Sequence, residues 1–312
     1  MKQIRTITIN PSFDLHYSIP DFAAGRENSV AEVSSEATGK GINTSRALVT
    51  NGVPNLAYLI MGKESEATFL AELDRDGIRY RCVTVPGRIR ENITVHPAQG
   101  RETRILLNTF SVSEEAFARL ESDLLAEDLP ELLVSFSGRL PKGIEKNRVR
   151  RMLDALIAGG AKLVIDSISF TPDDLKQIRP WIIKPNEQEI EGFLGETPKT
   201  PEEAANAARR MVQNGVSETV MISLGGDGAV WSDGERTCVL RVPRLENPVS
   251  TIGAGDSTIA GLLAGVAEGR EIGDALRLAV SYGTAACMTP GTHPPKPGDV
   301  REVYEKVRVE WG

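Results

Sequence analysis

The chain has 312 residues, which is long enough for one large domain or for one domain with an appendage. Its hydrophobic fraction of 40% and its charged fraction of 25% are ordinary for a globular protein. The net charge of −7 argues against nucleic acid as a partner, so any anion-binding site must be built locally.

Cysteine and histidine usage excludes several kinds of site. The three cysteines, Cys82, Cys238 and Cys287, are widely spaced and odd in number, and there are only three histidines. This disfavours disulfides, a structural zinc site and a histidine-based metal site. The N-terminus resembles a strand rather than a signal peptide, and the longest apolar run, residues 259–267, is too short to span a membrane. We therefore expect a cytoplasmic protein without a membrane partner.

Strand-like and helix-like segments alternate along most of the chain. Strands are predicted at residues 4–9, 56–61, 132–135, 162–166, 181–183 and 219–223. Helices are predicted at residues 41–51, 66–76, 147–158, 201–214 and 274–288. Because parallel strands are usually joined by helices, this alternation predicts an α/β fold, a layered sandwich around a mostly parallel sheet.

Two stretches, residues 16–34 and 83–107, break this alternation, because they are rich in strand formers and turns. They are similar in character, so we expect them to pair as one small β-sheet that projects from the main domain. The alternative is two unrelated excursions at a sheet edge. Since no repeat or linker marks a second domain, residues 1–312 are predicted to form a single domain.

Two motifs near the N-terminus are candidates for a ligand site. Asp14 follows the first predicted strand, and ligands of open α/β sheets bind at the carboxyl ends of strands. It is suited to sugar hydroxyls, although a lone aspartate there is also a common turn former. Residues 38–43 (Thr-Gly-Lys-Gly-Ile-Asn) precede a helix and offer N–H groups together with Lys40 and Asn43. The alternative is a simple strand-to-helix turn, and the cluster matches neither a Walker loop nor a dinucleotide fingerprint.

Two further motifs follow strands in the second half. Asn186 and Glu189 form an oxygen-rich pair of the kind that hydrated Mg²⁺ prefers, or else a helix-capping box. Residues 223–228 (Ser-Leu-Gly-Gly-Asp-Gly) allow a ligand to approach the backbone closely, or else form a hairpin turn.

The segment Gly253-Ala254-Gly255-Asp256 precedes an apolar stretch that is typical of a buried helix. The free N–H groups of a helix N-terminus attract an anion, yet a carboxylate repels a phosphate. The presence of a carboxylate at Asp256 is explained if it takes a proton from a nucleophile that attacks the phosphate. The alternative is that Asp256 caps the helix.

Six motifs in this order resemble those of the PfkB/ribokinase family of carbohydrate kinases. They are Asn10-Pro11…Asp14, Gly39-Lys40-Gly41-Ile42-Asn43, Ser137-Gly138-x-Leu140-Pro141, Lys184-Pro185-Asn186-x-x-Glu189, Ser223-Leu224-Gly225…Gly228-Ala229 and Gly253-Ala254-Gly255-Asp256. Each is weak alone, but together they cover nearly the whole chain. The first two are most similar to the hexose-phosphate branch, which holds the 1-phosphofructokinases and the tagatose-6-phosphate kinases.

The resemblance implies a ribokinase-like three-layer sandwich with a small β lid, and it implies ATP and Mg²⁺ as cofactors. Asp256 would be the catalytic base, and Gly253, Ala254 and Gly255 would form the anion hole. The nucleotide would be held by Lys184, Asn186, Ser223, Gly225, Gly226, Gly228 and Gly255. Asn186 and Glu189 would organise the metal. The phosphorylated sugar would be held by Asp14, Gly39, Lys40, Asn43, Arg90 and Ser137.

Two residues depart from the pattern of that branch. Arg139 stands where a serine is usual in Ser-Gly-Ser-Leu-Pro, and Glu91 stands where the 1-phosphofructokinases have an apolar residue. Arg139 either adds a contact to a substrate phosphate or turns outward.

The resemblance predicts phosphorylation of a ketohexose monophosphate by ATP. Gly87-Arg88-x-Arg90-x-Asn92 is most similar to the lid of the 1-phosphofructokinases, so the first expectation is conversion of fructose 1-phosphate to fructose 1,6-bisphosphate. Tagatose 6-phosphate is the second. A non-catalytic sugar-phosphate sensor is a rival that the intact Asp256 disfavours, and a dehydrogenase lacks its fingerprint. A homodimer through the lid is a further expectation.

Overall fold

Strands and helices alternate in the computed structural model, which describes residues 2–107 and 110–312. The strands are β1 (Gln3–Thr8), β2 (Ser12–Ser18), β3 (Glu32–Thr38), β4 (Asn55–Gly62), β5 (Tyr80–Val85), β6 (Arg90–His96), β7 (Thr103–Leu106), β8 (Leu132–Ser137), β9 (Lys162–Asp166), β10 (Ile182–Ile183), β11 (Thr219–Ser223), β12 (Ala229–Ser232), β13 (Thr237–Arg241) and β14 (Arg308–Trp311). The α-helices are α1 (Lys40–Thr50), α2 (Glu66–Arg75), α3 (Glu114–Leu125), α4 (Lys146–Ala158), α5 (Pro172–Ile178), α6 (Glu187–Leu194), α7 (Pro201–Gln213), α8 (Ala254–Ala267), α9 (Ile272–Ala286) and α10 (Pro297–Lys306).

A ten-stranded sheet forms the centre of the molecule, in the order β14-β13-β12-β11-β10-β9-β8-β1-β4-β5. The strands from β11 to β5 in that order are parallel, and β12, β13 and β14 extend the edge in antiparallel pairing. Parallel strands that are covered on both faces are expected to be apolar throughout. Every residue of β8 is indeed buried.

Helices cover both faces of this sheet and bury apolar side chains against each face. On one face α3, α4 and α7 contribute buried side chains such as Phe117, Met152 and Met211. On the other face α1, α8 and α9 contribute Leu48, Ile259 and others. The predicted α/β fold with three layers and a mostly parallel sheet is therefore confirmed. None of the helices in the described part of the chain is long and apolar enough to cross a bilayer.

A second sheet of four strands, in the order β3-β2-β6-β7, stands beside the large one. Its base joins the main domain through Phe13, whose ring packs edge-on against that of Phe69 with centroids 5.2 Å apart. Along each strand, polar and apolar side chains alternate between its two faces. The polar face carries Ser12, Asp14 and Arg90, and the apolar face carries Val33 and Ile105, both of them exposed.

The expected small sheet is present, but its predicted bounds differ from the observed ones. Its first strand starts at Ser12 and its second ends at Thr38, rather than lying within residues 16–34. Residues 83–85 belong to β5, which pairs with β4 in the large sheet. An apolar strand pattern does not specify which sheet a strand joins, and here burial of Val83 and Val85 in the main core decides it. The single domain over residues 1–312 stays a prediction, and Met1, Asn108 and Thr109 lie outside the described residues.

Candidate active site

The candidate site is built where parallel strands end and two helices begin. Strands β8, β9 and β10 of the large sheet end at Ser137, Asp166 and Ile183, which is directly before Lys184. Helices α1 and α8 start beside these ends, and their first turns are joined by Asn43, whose Nδ2 donates to Oδ2 of Asp256 at 2.8 Å. Carboxyl ends of parallel strands and helix N-termini are the usual place for a phosphorylated ligand.

Asp256 is a buried carboxylate in the first turn of α8, with 6% of its surface exposed. Burial raises the pKa of Asp256 to about 6, although the ammonium of Lys40 and the hydrogen bond from Asn43 oppose this. A base with a pKa near 6 is ionised at neutral pH and still accepts a proton readily. The structure therefore gives Asp256 the protonation behaviour that a general base requires.

The glycine-rich segment before Asp256 forms the N-terminus of α8, as predicted. Gly253 is the N-cap residue and adopts the left-handed conformation at φ 78°, which favours glycine. The first N–H groups of a helix lack acceptors within the helix and can bind an anion. The Ala254 N–H makes a long hydrogen bond of 3.4 Å to the Thr251 carbonyl. Lys184 lies next to the start of α8, because a Cβ added at Gly255 would stand 3.2 Å from Lys184 Nζ.

A second buried carboxylate, Asp166, lies at the end of β9 and accepts from Lys40 Nζ at 2.9 Å. Burial alone would raise the pKa of Asp166, but Lys184 and Lys40 outweigh it and hold that pKa below its ordinary value. Burial lowers the pKa of Lys40, but the carboxylates of Asp166 and Asp256 outweigh burial and raise it overall. Lys40 therefore stands between the two carboxylates.

Asp166 had no role in the sequence analysis, although it is the last residue of a correctly predicted strand. The available signal was position alone, since ligands bind at strand ends. Lys40 and Arg90, which the resemblance assigns to one phosphate, have different partners: Lys40 pairs with Asp166, and Arg90 donates to Ser12 Oγ at 3.5 Å. The role of Lys40 in sugar binding stays a prediction.

Asn186 and Glu189 form a capping box at the start of α6. Asn186 Oδ1 accepts from the Glu189 N–H at 2.9 Å, and Glu189 Oε2 accepts from the Asn186 N–H at 3.0 Å. The capping alternative is thus confirmed, while the metal role stays a prediction. Across residues 2–107 and 110–312, no group of three or more His, Cys, Asp or Glu side chains could hold a metal ion.

The glycine cluster at residues 223–228 connects β11 to the antiparallel β12, so the hairpin alternative is also confirmed. Gly228 has φ 96°, and a Cβ there would lie 1.9 Å from the carbonyl oxygen of Leu240, which only glycine avoids. Gly225 and Gly226 face open space instead. The start of this loop lies beside Asn186, one of the two candidate metal ligands, because Ser223 and Asn186 form a β-bridge. These placements leave Gly225 and Gly226 accessible to a nucleotide.

The sugar-binding candidates lie on the polar face of the small sheet and at the strand ends below it. Asn92 Nδ2 donates to Asp14 Oδ1 at 2.7 Å and to Ser12 Oγ at 3.1 Å. Within the described residues, Arg90 Nε and Asn92 Oδ1 are buried without a hydrogen-bond partner. Such groups are expected to be satisfied by a ligand or by water.

Gly39 and Ser137 are placed by packing. A Cβ at Gly39 would lie 2.8 Å from Thr8 Cγ2, so this glycine allows α1 to start directly against β1. Ser137 Oγ lies 3.0 Å from Ser135 Oγ at the end of β8. Both residues border the strand ends where Lys40 and Asp166 meet.

The fold and the site together are those expected of a phosphotransferase: a buried carboxylate lies in the first turn of a helix at the end of a parallel sheet, near Lys40 and Lys184. The chain belongs to the pfkB family of carbohydrate kinases, because the profile described as "pfkB family carbohydrate kinase" matches residues 10–298. It is an ATP-dependent sugar kinase.

Individual relatives and a solved structure are similar to this chain over almost its whole length. A 1-phosphofructokinase of Haemophilus influenzae is 29% identical over 92% of this chain and 91% of its own length. The ATP-dependent 6-phosphofructokinase isozyme 2 of Escherichia coli is 28% identical over 97% of this chain and 98% of its own. The crystal structure of phosphofructokinase-2 from Escherichia coli superimposes with a TM-score of 0.88 and 25% identity, over 98% of this chain and 99% of that one.

Proposed function

We propose that this kinase moves the γ-phosphoryl group of ATP to a hydroxyl of a ketohexose phosphate, and that fructose 1-phosphate is its acceptor. The product would be fructose 1,6-bisphosphate. The observation that carries the transfer is Asp256, a buried carboxylate with a raised pKa in the first turn of a helix. The similarity to proteins named 1-phosphofructokinase supports the acceptor.

Asp256 acts as the general base in this proposal. Its carboxylate takes the proton of the attacking hydroxyl, the new oxygen–phosphorus bond forms, and the bond to the β-phosphate oxygen breaks to release ADP. The N–H groups after Gly253 and the ammonium of Lys184 stabilise the charge of the transferring group. Asn43 holds the carboxylate in place by its hydrogen bond.

We assign Mg²⁺ to Asn186 and Glu189, since the oxygen-rich side chains fit an ion that combines one or two carboxylates with substrate phosphates. When bound, the ion neutralises charge on the phosphate oxygens. Both side chains would have to leave at least one capping contact to reach an ion. The nucleotide lies against Gly225 and Gly226 in this assignment.

The acceptor lies under the polar face of the small sheet, which acts as the lid. Asp14 and Asn92 bind its hydroxyls, and Arg90 binds its phosphate. The exposed apolar side chains on the other face, Val33 and Ile105, are assigned to a homodimer contact. We also propose a cytoplasmic location, because ATP and sugar phosphates are charged metabolites that membranes retain there.

A kinase for a ketohexose 6-phosphate, fructose or tagatose, is the second candidate. It is favoured by the similarity to a protein named 6-phosphofructokinase, at almost the same identity as the first. The non-catalytic sensor is the third, and a buried base has no purpose in it.

A coupled assay of ADP release over ketose monophosphates and unphosphorylated sugars tests this proposal. We expect kcat/KM to be highest for fructose 1-phosphate, with the bisphosphate identified by phosphorus NMR. A higher value for a 6-phosphate selects the second candidate. Binding of a sugar phosphate without ADP release selects the sensor.

A further inference from the structure

Arg139, the residue that departs from its branch, is held close to the acceptor end of the cleft. The backbone around it is fixed on both sides: the Gly138 N–H donates to the Asp166 carbonyl at 3.0 Å, and the Leu140 N–H donates to Ser169 Oγ at 3.1 Å. Asn10 Nδ2 also donates to the Leu140 carbonyl at 3.4 Å, which ties this loop to the chain entering β2. The Arg139 side chain itself is exposed.

Arg90 approaches the same place from strand β6, because it donates to Ser12 Oγ at 3.5 Å, two residues along the chain from Asn10, which donates to the Leu140 carbonyl. Burial is the main cause that lowers the pKa of Arg90, the positive charge of Arg139 lowers it further, and the carboxylate of Asp14 opposes both. Within the described residues, neither Arg90 nor Arg139 forms an ion pair with a carboxylate. Other arginines do, such as Arg46 with Asp76 at 2.7 Å and Arg148 with Glu121 at 2.5 Å.

Two neighbouring guanidinium groups repel each other, and the carboxylate of Asp14 offsets this repulsion without forming an ion pair with either arginine. An anion bound between the two arginines makes the interaction attractive. A phosphate is the matching anion, because its oxygens accept two parallel N–H bonds from each arginine fork. The buried and unpartnered Nε of Arg90 already supplies one unused donor at this place.

We propose that Arg139 and Arg90 form a clamp for the phosphate that the acceptor carries before the reaction, and that Arg139 makes the chain discriminate against unphosphorylated sugars. This inference rests on the proposed function and deepens it. The clamp binds the end of the acceptor away from Asp256, while Asp14 and Asn92 occupy the space between. A serine at position 139 donates one neutral hydrogen bond, whereas arginine adds a charge and a fork.

The clamp also predicts which ionic form of the acceptor binds. The second ionisation of a phosphate monoester has a pKa of about 6, so the dianion dominates at neutral pH. Two arginines favour the dianion more than one does. The KM for the acceptor should therefore fall more steeply between about pH 5 and 7 in the wild type than in a variant without Arg139.

The test compares Arg139→Ser, which restores the residue usual in the branch, with Arg139→Lys and with Arg119→Ser. Arg119 is an exposed residue of α3 and serves as the matched control for loss of one arginine. In Arg139→Ser, KM for the sugar phosphate should rise on the order of 10- to 100-fold, while KM for ATP and kcat change less than about twofold. Arg139→Lys should be intermediate, because it keeps the charge but not the fork. The control should match the wild type.

Binding measurements separate this inference from the proposed function. Titration with inorganic phosphate and with fructose 1-phosphate should show weaker binding to Arg139→Ser than to the wild type, whether or not turnover occurs. If the wild type turns over a sugar phosphate and Arg139→Ser has an unchanged KM, the clamp is refuted and the proposed function stands. If the wild type prefers a ketohexose 6-phosphate and the KM for that sugar rises in Arg139→Ser, the proposed acceptor fails and the clamp stands. If the wild type prefers unphosphorylated sugars, both fail. Should Arg139→Ser not fold, an unchanged KM in Arg139→Lys together with unchanged phosphate affinity refutes the clamp.

Discussion

The two ends of the cleft differ in how their charges are balanced. At the phosphoryl-transfer end, Asp166 and Asp256 are buried, and each accepts a hydrogen bond from a side chain of α1. At the proposed acceptor end, neither Arg90 nor Arg139 forms an ion pair within the described residues, although the carboxylate of Asp14 lies near enough to oppose the lowering of the pKa of Arg90 by burial. Groups that are fixed before the reaction stabilise developing charge without reorganisation. In our proposal, one end is therefore organised in advance for phosphoryl transfer, whereas the other is completed by the phosphate of the substrate.

The same contrast separates the two sheets. The large sheet is covered by helices on both faces, while the small sheet has a polar face toward the cleft and an apolar face that exposes Val33 and Ile105. A sheet with few buried contacts of its own opens more easily than a buried one. In our proposal, the residues that act in phosphoryl transfer therefore lie at the rigid large sheet, and the small sheet is the lid that opens and closes over the acceptor.

Asp256→Asn removes the base from the organised end and should have the largest effect. Loss of a general base typically lowers the rate by about 10²- to 10⁴-fold, whereas binding of ATP and the sugar phosphate should be retained. Single-turnover rates and calorimetric titrations measure the two quantities separately. A kcat near that of the wild type would refute the assignment of Asp256.

The same variant has a second consequence, for stability. The pKa of Asp256 is raised to about 6, so its folding contribution is present at low pH and is lost as pH rises through that value. Above about pH 7 the ionised carboxylate destabilises the fold, and the amide of Asp256→Asn does not. Near pH 8 the free energy of unfolding of the variant should exceed that of the wild type by roughly 1–3 kcal/mol, and near pH 4 the two should be similar. Thermal unfolding at both pH values measures this difference.

Arg90→Ala acts on the acceptor end and should be next in size. Removing a charge-assisted hydrogen bond costs roughly 1.5–3 kcal/mol, which corresponds to about a 10- to 150-fold rise in KM for the sugar phosphate. The KM for ATP should change little. Steady-state kinetics with each substrate varied in turn decide this, and a larger effect on ATP would mean that the two ends of the cleft are reversed.

Lys40→Met tests whether Lys40 acts on the ionisation of Asp256 or binds the sugar phosphate. The positive charge of Lys40 lowers the pKa of Asp256, so its removal should raise that pKa and move the acidic limb of the pH–rate profile to higher pH. If Lys40 instead holds the sugar phosphate, as the motif resemblance implies, KM for the sugar should rise while the acidic limb stays near pH 6. Arg119→Met, far from the cleft, is the control.

The sequence predicted those candidate site residues that lie next to a recognisable backbone pattern, such as a glycine-rich turn before a helix. Glycines before an apolar stretch predicted a helix N-terminus, and the structure places Gly253 and Asp256 at the start of α8. Their roles in binding and catalysis stay predictions. Asp166 carries no such signal, because its surroundings depend on an ion pair with Lys40 and on the nearby charge of Lys184. The ion-pair partner Lys40 is distant in the sequence. The sequence also could not predict which sheet residues 83–85 join, since an apolar strand pattern fits either sheet.

The remaining expectations concern the lid. Sugar phosphate should slow amide hydrogen exchange in β2, β3, β6 and β7 together, because closure excludes water from the acceptor. The central strands β9 and β11 should change little, which serves as the internal control. Protection of only one part of the small sheet would contradict the hypothesis that its four strands act as a single lid.

The smallest effect is expected at the contact that joins the lid to the anion cradle. Glu36 on β3 accepts a hydrogen bond from Thr292 Oγ1 at 2.6 Å, and its Oε1 lies 3.2 Å from His293 Nε2. Thr292 in turn lies against Gly253. Glu36→Gln keeps one acceptor oxygen but removes the charge. Partly exposed pairs contribute about 0–1 kcal/mol, so KM for the sugar phosphate should rise no more than about fivefold, with kcat unchanged. A second variant, Thr292→Val, removes the same contact from the other side, and combining it with Glu36→Gln should add almost nothing. Additive effects of the two substitutions would show that Glu36 and Thr292 act separately and that the lid is not held through this contact.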